Sequence, residues 1–248
     1  MFGPADVAFH RPIVGCSFGR DGRRVAVAVP RYEASLDARP LEVWCRDLDS
    51  EGGWERVPAL DPEEPVCQPT IAPDGRRLAV LTAQEGSQVL QVFDMEDLSA
   101  PALTLPGLPR RVEAPKWCHG TGEFWCLGYD AEGWRRVWRW RSLDSEPEPC
   151  TPIGVHAGDF AVEPSGKRMA WVHLPNMLSA STDRLPIRVT CLEGAEVSER
   201  QVPGRPVGFM AWSPDGRWLA YLARRVGHRL SAARLWIVDV ERWPGEPD

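Results

Sequence analysis

Five times along the chain the same short phrase returns. Ser17-Phe-Gly-Arg-Asp-Gly-Arg-Arg-Val-Ala-Val, Thr70-Ile-Ala-Pro-Asp-Gly-Arg-Arg-Leu-Ala-Val and Ala211-Trp-Ser-Pro-Asp-Gly-Arg-Trp-Leu-Ala-Tyr are three copies. Ala161-Val-Glu-Pro-Ser-Gly-Lys-Arg-Met-Ala-Trp is a fourth, and Lys116-Trp-Cys-His-Gly-Thr-Gly-Glu-Phe-Trp-Cys a fifth with one inserted residue. The anchoring glycines, Gly22, Gly75, Gly122, Gly166 and Gly216, stand 53, 47, 44 and 50 residues apart. A period of this length marks a repeat architecture, in which each unit buries its apolar surface against its neighbours.

Within the phrase an apolar strand end runs into Pro-Asp-Gly, where Pro presets φ and Gly supplies the positive φ of a tight turn. An alternating apolar strand follows, as in Leu78-Ala-Val-Leu and Leu219-Ala-Tyr-Leu. A third strand is predicted in each unit: Leu41–Cys45, Val89–Phe93, Arg136–Trp140, Ile187–Cys191 and Arg234–Val238. Three of these end near an acidic turn, at Asp47, Asp94 and Asp239. A shorter outer strand follows in most units, for instance Trp54–Val57 and Ala102–Leu105. The 24 Pro and 22 Gly of the 248 residues disfavour long helices and fit this strand-and-turn reading. Four antiparallel strands per unit at this period describe a propeller blade.

The expected fold is therefore all-β, a single five-bladed β-propeller over residues 1–248, with units at about 12–60, 61–108, 109–152, 153–204 and 205–248. The fifth unit runs out of chain before its own outer strand, and Asp6-Val-Ala-Phe-His10 is an extended segment with no unit of its own. Residues 5–10 are therefore expected to complete the last blade and close the ring, leaving no exposed sheet edge. A fragment of a six- or seven-bladed parent is the alternative.

The phrase Trp212-Ser-Pro-Asp-Gly-Arg-Trp-Leu-Ala-Tyr resembles the repeat signature of TolB-like propellers, which are related to the propeller domains of prolyl-oligopeptidase-type peptidases. The resemblance covers all five units, although the third departs from it and the first lacks the Pro. It implies a scaffold that binds proteins or peptides, often periplasmic or fused to a hydrolase. These residues build turns and blade packing, so they say more about fold than about function.

Composition narrows the class. Acidic side chains (35) outnumber basic ones (29), and the basic ones are dispersed arginines, with lysine only at Lys116 and Lys167. A general nucleic-acid or membrane surface is not expected from that distribution. The start lacks the basic-then-apolar pattern of a secretory signal, and the seven cysteines show no C-x-x-C spacing. Reduced thiols in a cytoplasmic protein are the expectation.

Several motifs invite chemistry. Gly15-Cys-Ser17-Phe-Gly19 matches the nucleophile-elbow pattern, which requires a strand, a strained turn and a helix. Repeat register instead puts Ser17 inside a strand. Register also places His10, His156, His173 and His228 on one face and His119 on the other, without metal-ligand spacing. No metal or other cofactor is expected. Trp134-Arg-Arg-Val-Trp-Arg-Trp-Arg141 looks like a stacking platform, but as a strand it puts Trp138 and Trp140 on one face and Arg139 and Arg141 on a solvated other.

Two candidate sites remain. Gln68, Arg111, Glu113, His156 and Asp159 fall on innermost strands and would line one side of the channel mouth, where Glu113 and Asp159 supply carboxylates for a hydrolase or lyase. The longer connections of units one, four and five would form a lip presenting Tyr32, Met177, Leu178, Arg224, Arg225 and Arg229. Loops on a rigid scaffold concentrate function. The leading expectation is a non-catalytic scaffold that binds a protein or peptide over that lip; the alternative is a small-molecule enzyme at the channel mouth. A detached propeller serving a separately encoded peptidase is a third reading.

Overall fold

The computed structural model describes residues 13–30, 41–57, 67–84, 87–175, 185–193, 197–200, 205–206, 208–224 and 232–242. All regular structure among them is β. The residues fall into two compact units, one drawn from Met1–Trp117 with Ser142–Glu146, the other from Cys118–Arg141 with Pro147–Asp248. The division cuts the third repeat between Trp117 and Cys118.

The first unit holds two antiparallel sheets of four strands. In the first, β1 (Gly15–Phe18), β2 (Arg24–Pro30), β3 (Leu41–Asp47) and β4 (Glu55–Arg56) lie side by side in chain order. In the second, β5 (Cys67–Ile71), β6 (Arg77–Gln84), β7 (Ser87–Asp94) and β8 (Leu103–Thr104) repeat that order. The strand β9 (Arg110–Trp117) also belongs to this unit. Alternation sends Ala26, Val43 and Cys45 of the first sheet against Ile71, Leu78, Val80 and Phe93 of the second, and these residues form one buried cluster. Removing such surface from water is the main favourable term in the packing of one sheet on the next.

The second unit begins with β10 (Phe124–Tyr129), β11 (Arg135–Trp140) and β12 (Glu148–Pro149), paired in sequence. A four-stranded sheet follows: β13 (His156–Val162), β14 (Arg168–Leu174), β15 (Ile187–Cys191) and β16 (Val197–Arg200). In the last sheet β17 (Arg205–Pro206) and β18 (Ala211–Trp212) both pair with β19 (Trp218–Arg224), and β20 (Arg234–Asp239) lies on its other side. β17 and β18 are thus two pieces of one innermost strand. No fourth strand joins β20 among the described residues. Val172, Ile187 and Val189 pack with Met210, Leu219 and Tyr221 in the core between the last two sheets.

The turns are set as the sequence implies. Gly22, Gly75, Gly122, Gly166 and Gly216 all adopt φ between 70° and 74°, a region that costs L side chains but not glycine. In the first and last repeats the arginine after that glycine closes the hairpin: Arg23 Nε lies 3.0 Å from both oxygens of Asp47, and Arg217 bonds Asp239 at 3.0 and 2.8 Å. These guanidiniums hold both carboxyls below their usual range, against a small opposing desolvation.

Candidate functional site

A recurring clasp joins neighbouring sheets, and it uses most of the polar groups that the sequence offers for chemistry. In the second unit the indole Nε1 of Trp212 donates to the carbonyl of Ala161 at 3.0 Å. The Arg168 guanidinium sits 5.2 Å from the Trp212 ring and donates to the carbonyl of Gly216 at 2.8 Å. Glu163 holds Arg168 from the opposite side at 2.9 and 3.1 Å. The first unit repeats the arrangement at matching positions, with Trp117 Nε1 donating to Thr70 O at 3.0 Å and Arg77 over the Trp117 ring at 5.1 Å. Where the first and second sheets meet, Ile71 replaces the tryptophan. There Arg24 donates to Gly75 O at 2.8 Å, and the Ser17 hydroxyl accepts the Ile71 N–H at 2.9 Å. Ser17 thus lies in β1, paired with Ala26, and its oxygen ties two sheets together. The nucleophile-elbow pattern is a coincidence of letters.

The third repeat carries Phe124 where others place this arginine, and its junction with the next sheet is made differently. An added Cβ on Gly120 would stand 1.7 Å from the Pro164 carbonyl oxygen, and the Cys118 thiol faces the carbonyls of Glu163 and Pro164 at 3.6 and 3.7 Å. Only glycine permits that backbone approach.

The innermost strands are kinked at a shared register. β5 shifts pairing between Cys67 and Thr70, and β13 shifts between Ala157 and Phe160. β9 has Arg111 and Ala114 at φ 50°, and between β17 and β18 Phe209 sits at φ 59°. Bulges of this kind bend a strand and free backbone groups from the ladder. The candidate channel residues lie on or beside these kinks. Gln68 is in β5, its side chain outside the described residues. Arg111, exposed, and Glu113, half-buried, lie on β9 of the first unit; His156 and Asp159, both half-buried, lie on β13 of the second.

In β13 the freed groups find partners. Asp159 Oδ2 accepts the Met210 N–H at 3.1 Å, which binds this sheet to the next. Arg135 donates to the carbonyls of Ala157 and Gly158 at 2.7 and 3.0 Å. The Arg135 backbone N–H donates to His156 Nδ1 at 3.1 Å, and Trp134 leans on the imidazole with ring centres 4.8 Å apart. Desolvation and the neighbouring Arg135 charge push the His156 pKa down, partly opposed by Asp130. An imidazole that accepts at Nδ1 and titrates below its usual range is neutral at pH 7.

The tryptophan–arginine run is resolved as β11, but one expectation about it fails. Arg139, expected in solvent, is buried: it bonds Glu123 at 2.6 Å and lies 5.3 Å from the Trp125 ring. Alternation placed it on the face opposite Trp138 and Trp140, yet that face is covered, so the charge is paired inside. His173 lies with His156 at one end of the β13–β14 pair, and His119 precedes β10 at the hairpin end of its own sheet. Among the described residues no three His, Cys, Asp or Glu side chains gather as metal ligands. Tyr32, Met177, Leu178, Arg225, Arg229, His10 and His228 lie outside the described residues. Arg224, at the end of β19, is exposed. The described cysteines are free; burial pushes the Cys45 and Cys150 thiols up to about 12.

Sequence reasoning missed two clefts along the hairpin edge of the first unit, bordered by Trp54 and by Leu103. The available signal was a large apolar residue at the start of each short outer strand.

No family model matches the chain. The peptidase YuxL of Bacillus subtilis (strain 168), itself uncharacterised, is 23% identical over 211 residues, which is 83% of this chain and 28% of that protein. Among solved structures, TolB from Acinetobacter baumannii aligns over 93% of this chain and 52% of its own, with a TM-score of 0.65 and 17% identity. A prolyl endopeptidase studied for inter-domain dynamics aligns over 94% of this chain and 34% of its own, at TM-score 0.66 and 16% identity. The fold is thus the β-propeller fold of TolB and of prolyl-oligopeptidase-type peptidases. The chain spans about half or less of the length of these proteins.

Proposed function

We propose that the chain is a non-catalytic binding propeller that engages a protein or peptide over the connections of its fourth, fifth and first blades. The observation that carries this reading is the employment of its polar groups. Ser17 Oγ, Asp159 Oδ2 and His156 Nδ1, the best candidates for nucleophile, acid and base, each accept a backbone N–H that holds a sheet in place. A general base needs its lone pair directed at a substrate proton. TolB among the structural neighbours agrees with a binding role.

In this reading five blades close into a ring, and residues 5–10 add the outer strand beside β20. Support comes from β20 itself, whose Leu235 and Ile237 are 63% and 62% exposed although their counterparts Val43 and Cys45 are buried. The free, buried thiols of Cys45, Cys118 and Cys126 fit a cytoplasmic location. The peptidase relative favours a second reading for the partner, an enzyme subunit encoded separately.

The test is a peptide array probed with the purified chain and with the charge-reversed variant Arg224→Glu/Arg225→Glu. Discrete peptides bound by the parent and lost in the variant support the proposal. An unchanged profile overturns it, as does turnover of peptide or ester substrates that disappears in Ser17→Ala.

A further inference from the structure

The two clefts of the first unit are repeats of one another. The first, about 570 Å3, is bordered by Arg24, Asp47, Trp54, Glu55, Glu96 and Leu98. The second, about 420 Å3, is bordered by Asp74, Arg77, Asp94, Glu96, Leu103 and Leu143. Arg24 and Arg77 open the second strand of their sheets and stand opposite Asp47 and Asp94 in the ladders. Trp54 and Leu103 stand at the start of the outer strands, and both are unusually exposed for their size, at 44% and 43%. Glu96 borders both clefts, so they form one continuous groove.

Charge decides what such a groove accepts. Its arginines are already engaged: Arg24 pairs with Asp47 and Glu96 at 4.0 and 3.9 Å, Arg76 with Glu96 at 3.9 Å, and Arg77 with Asp74 at 2.7 Å. Glu55 and Asp94 are exposed and have no ion pair among the described residues. Each cleft therefore offers one bare apolar side chain and one uncompensated carboxylate. Polyanions such as RNA or an acidic lipid surface would meet repulsion there. An apolar residue followed by a basic one would find both complements in each cleft.

We propose that this groove is a docking site for an extended peptide carrying two apolar–basic pairs, one pair per cleft. It uses the hairpin edge of the first two sheets and is independent of the long-connection surface. Packed sheets lie about 10 Å apart and an extended chain advances about 3.3 Å per residue, so the pairs recur at about every third residue.

The experiment is fluorescence anisotropy with the intact chain and labelled Leu-Lys-Gly-Leu-Lys, against Leu-Glu-Gly-Leu-Glu as control. Saturable binding of the lysine peptide is expected, at least tenfold tighter than the control. Trp54→Ala and Leu103→Ala should each weaken it about tenfold or more. Glu55→Lys/Asp94→Lys should reverse the preference toward the glutamate peptide, a gain that misfolding cannot imitate. Arg224→Glu/Arg225→Glu should leave it unchanged. Equal binding of the two peptides, no binding of either, or a preference unmoved by the lysine substitutions would overturn the proposal. So would occlusion of the groove by a second copy, seen as a dimer in sedimentation that Trp54→Ala dissolves.

Discussion

Replacing Arg168 with methionine tests the clasp directly. The guanidinium makes three kinds of contact at once: the Glu163 carboxylate, the Gly216 carbonyl and the Trp212 ring. Its methionine replacement keeps most of the stem packed on the indole but removes the charge. Glu163 is only 7% exposed, so it becomes a buried carboxylate without its cation, a change that costs about 3–5 kcal/mol when burial is complete. Arg168 retains 29% side-chain exposure, so water reaches the site and the lower end, about 3 kcal/mol, is expected. The lost charged bond to Gly216 is contained within that figure, because truncation energies do not add within one network. Urea unfolding followed by circular dichroism at 25 °C measures the effect. The decisive comparison adds Glu163→Gln to the same chain. If the stranded charge dominates, the double variant should recover about 1–2 kcal/mol over Arg168→Met alone. A double variant no more stable than Arg168→Met would show that Arg168 acts through packing on Trp212, and the electrostatic reasoning would fail.

Ser17→Ala should cost about 1–2 kcal/mol in urea melts, because the Ile71 N–H loses its acceptor, and a neutral result would contradict the tie. Gly120→Ala should cost more than about 3 kcal/mol or prevent folding, since the new methyl would collide with the Pro164 carbonyl; normal stability would disprove that contact. Thermal melts should show stability falling as pH drops below about 6.5, where unfolded chains protonate histidine while His156, its pKa depressed when folded, resists. His156→Asn should flatten that segment of the profile. A second decline is expected below about pH 4, as Asp47 and Asp239 are forced to protonate against their arginines.

The blades were legible because their signals are local. Asp-Gly turns, period-two strands and a recurring spacing located Ile187–Cys191 to the residue and Leu41–Asp47 to within two. The burial of Arg139 was not legible, because alternation assigns a face without saying what covers it, and its partner Glu123 lies 16 positions away. Asp159 looked like channel chemistry for a similar reason. Its role depends on the Met210 N–H, 51 positions downstream and exposed by a kink that no residue pattern announces. Ser17 was correctly placed in a strand by register, but the bond that employs it runs to another repeat.

The seams between repeats are not equivalent as evolutionary material. A junction made by an arginine reaching a carbonyl can be retuned by exchanging one side chain, as the swap of tryptophan for isoleucine at position 71 illustrates. Where Gly120 lies against Pro164, main chain meets main chain and no side chain is left to adjust. Duplication, deletion or transplantation of a repeat should therefore succeed at the arginine seams and fail at this one, which fixes the order of its two neighbours.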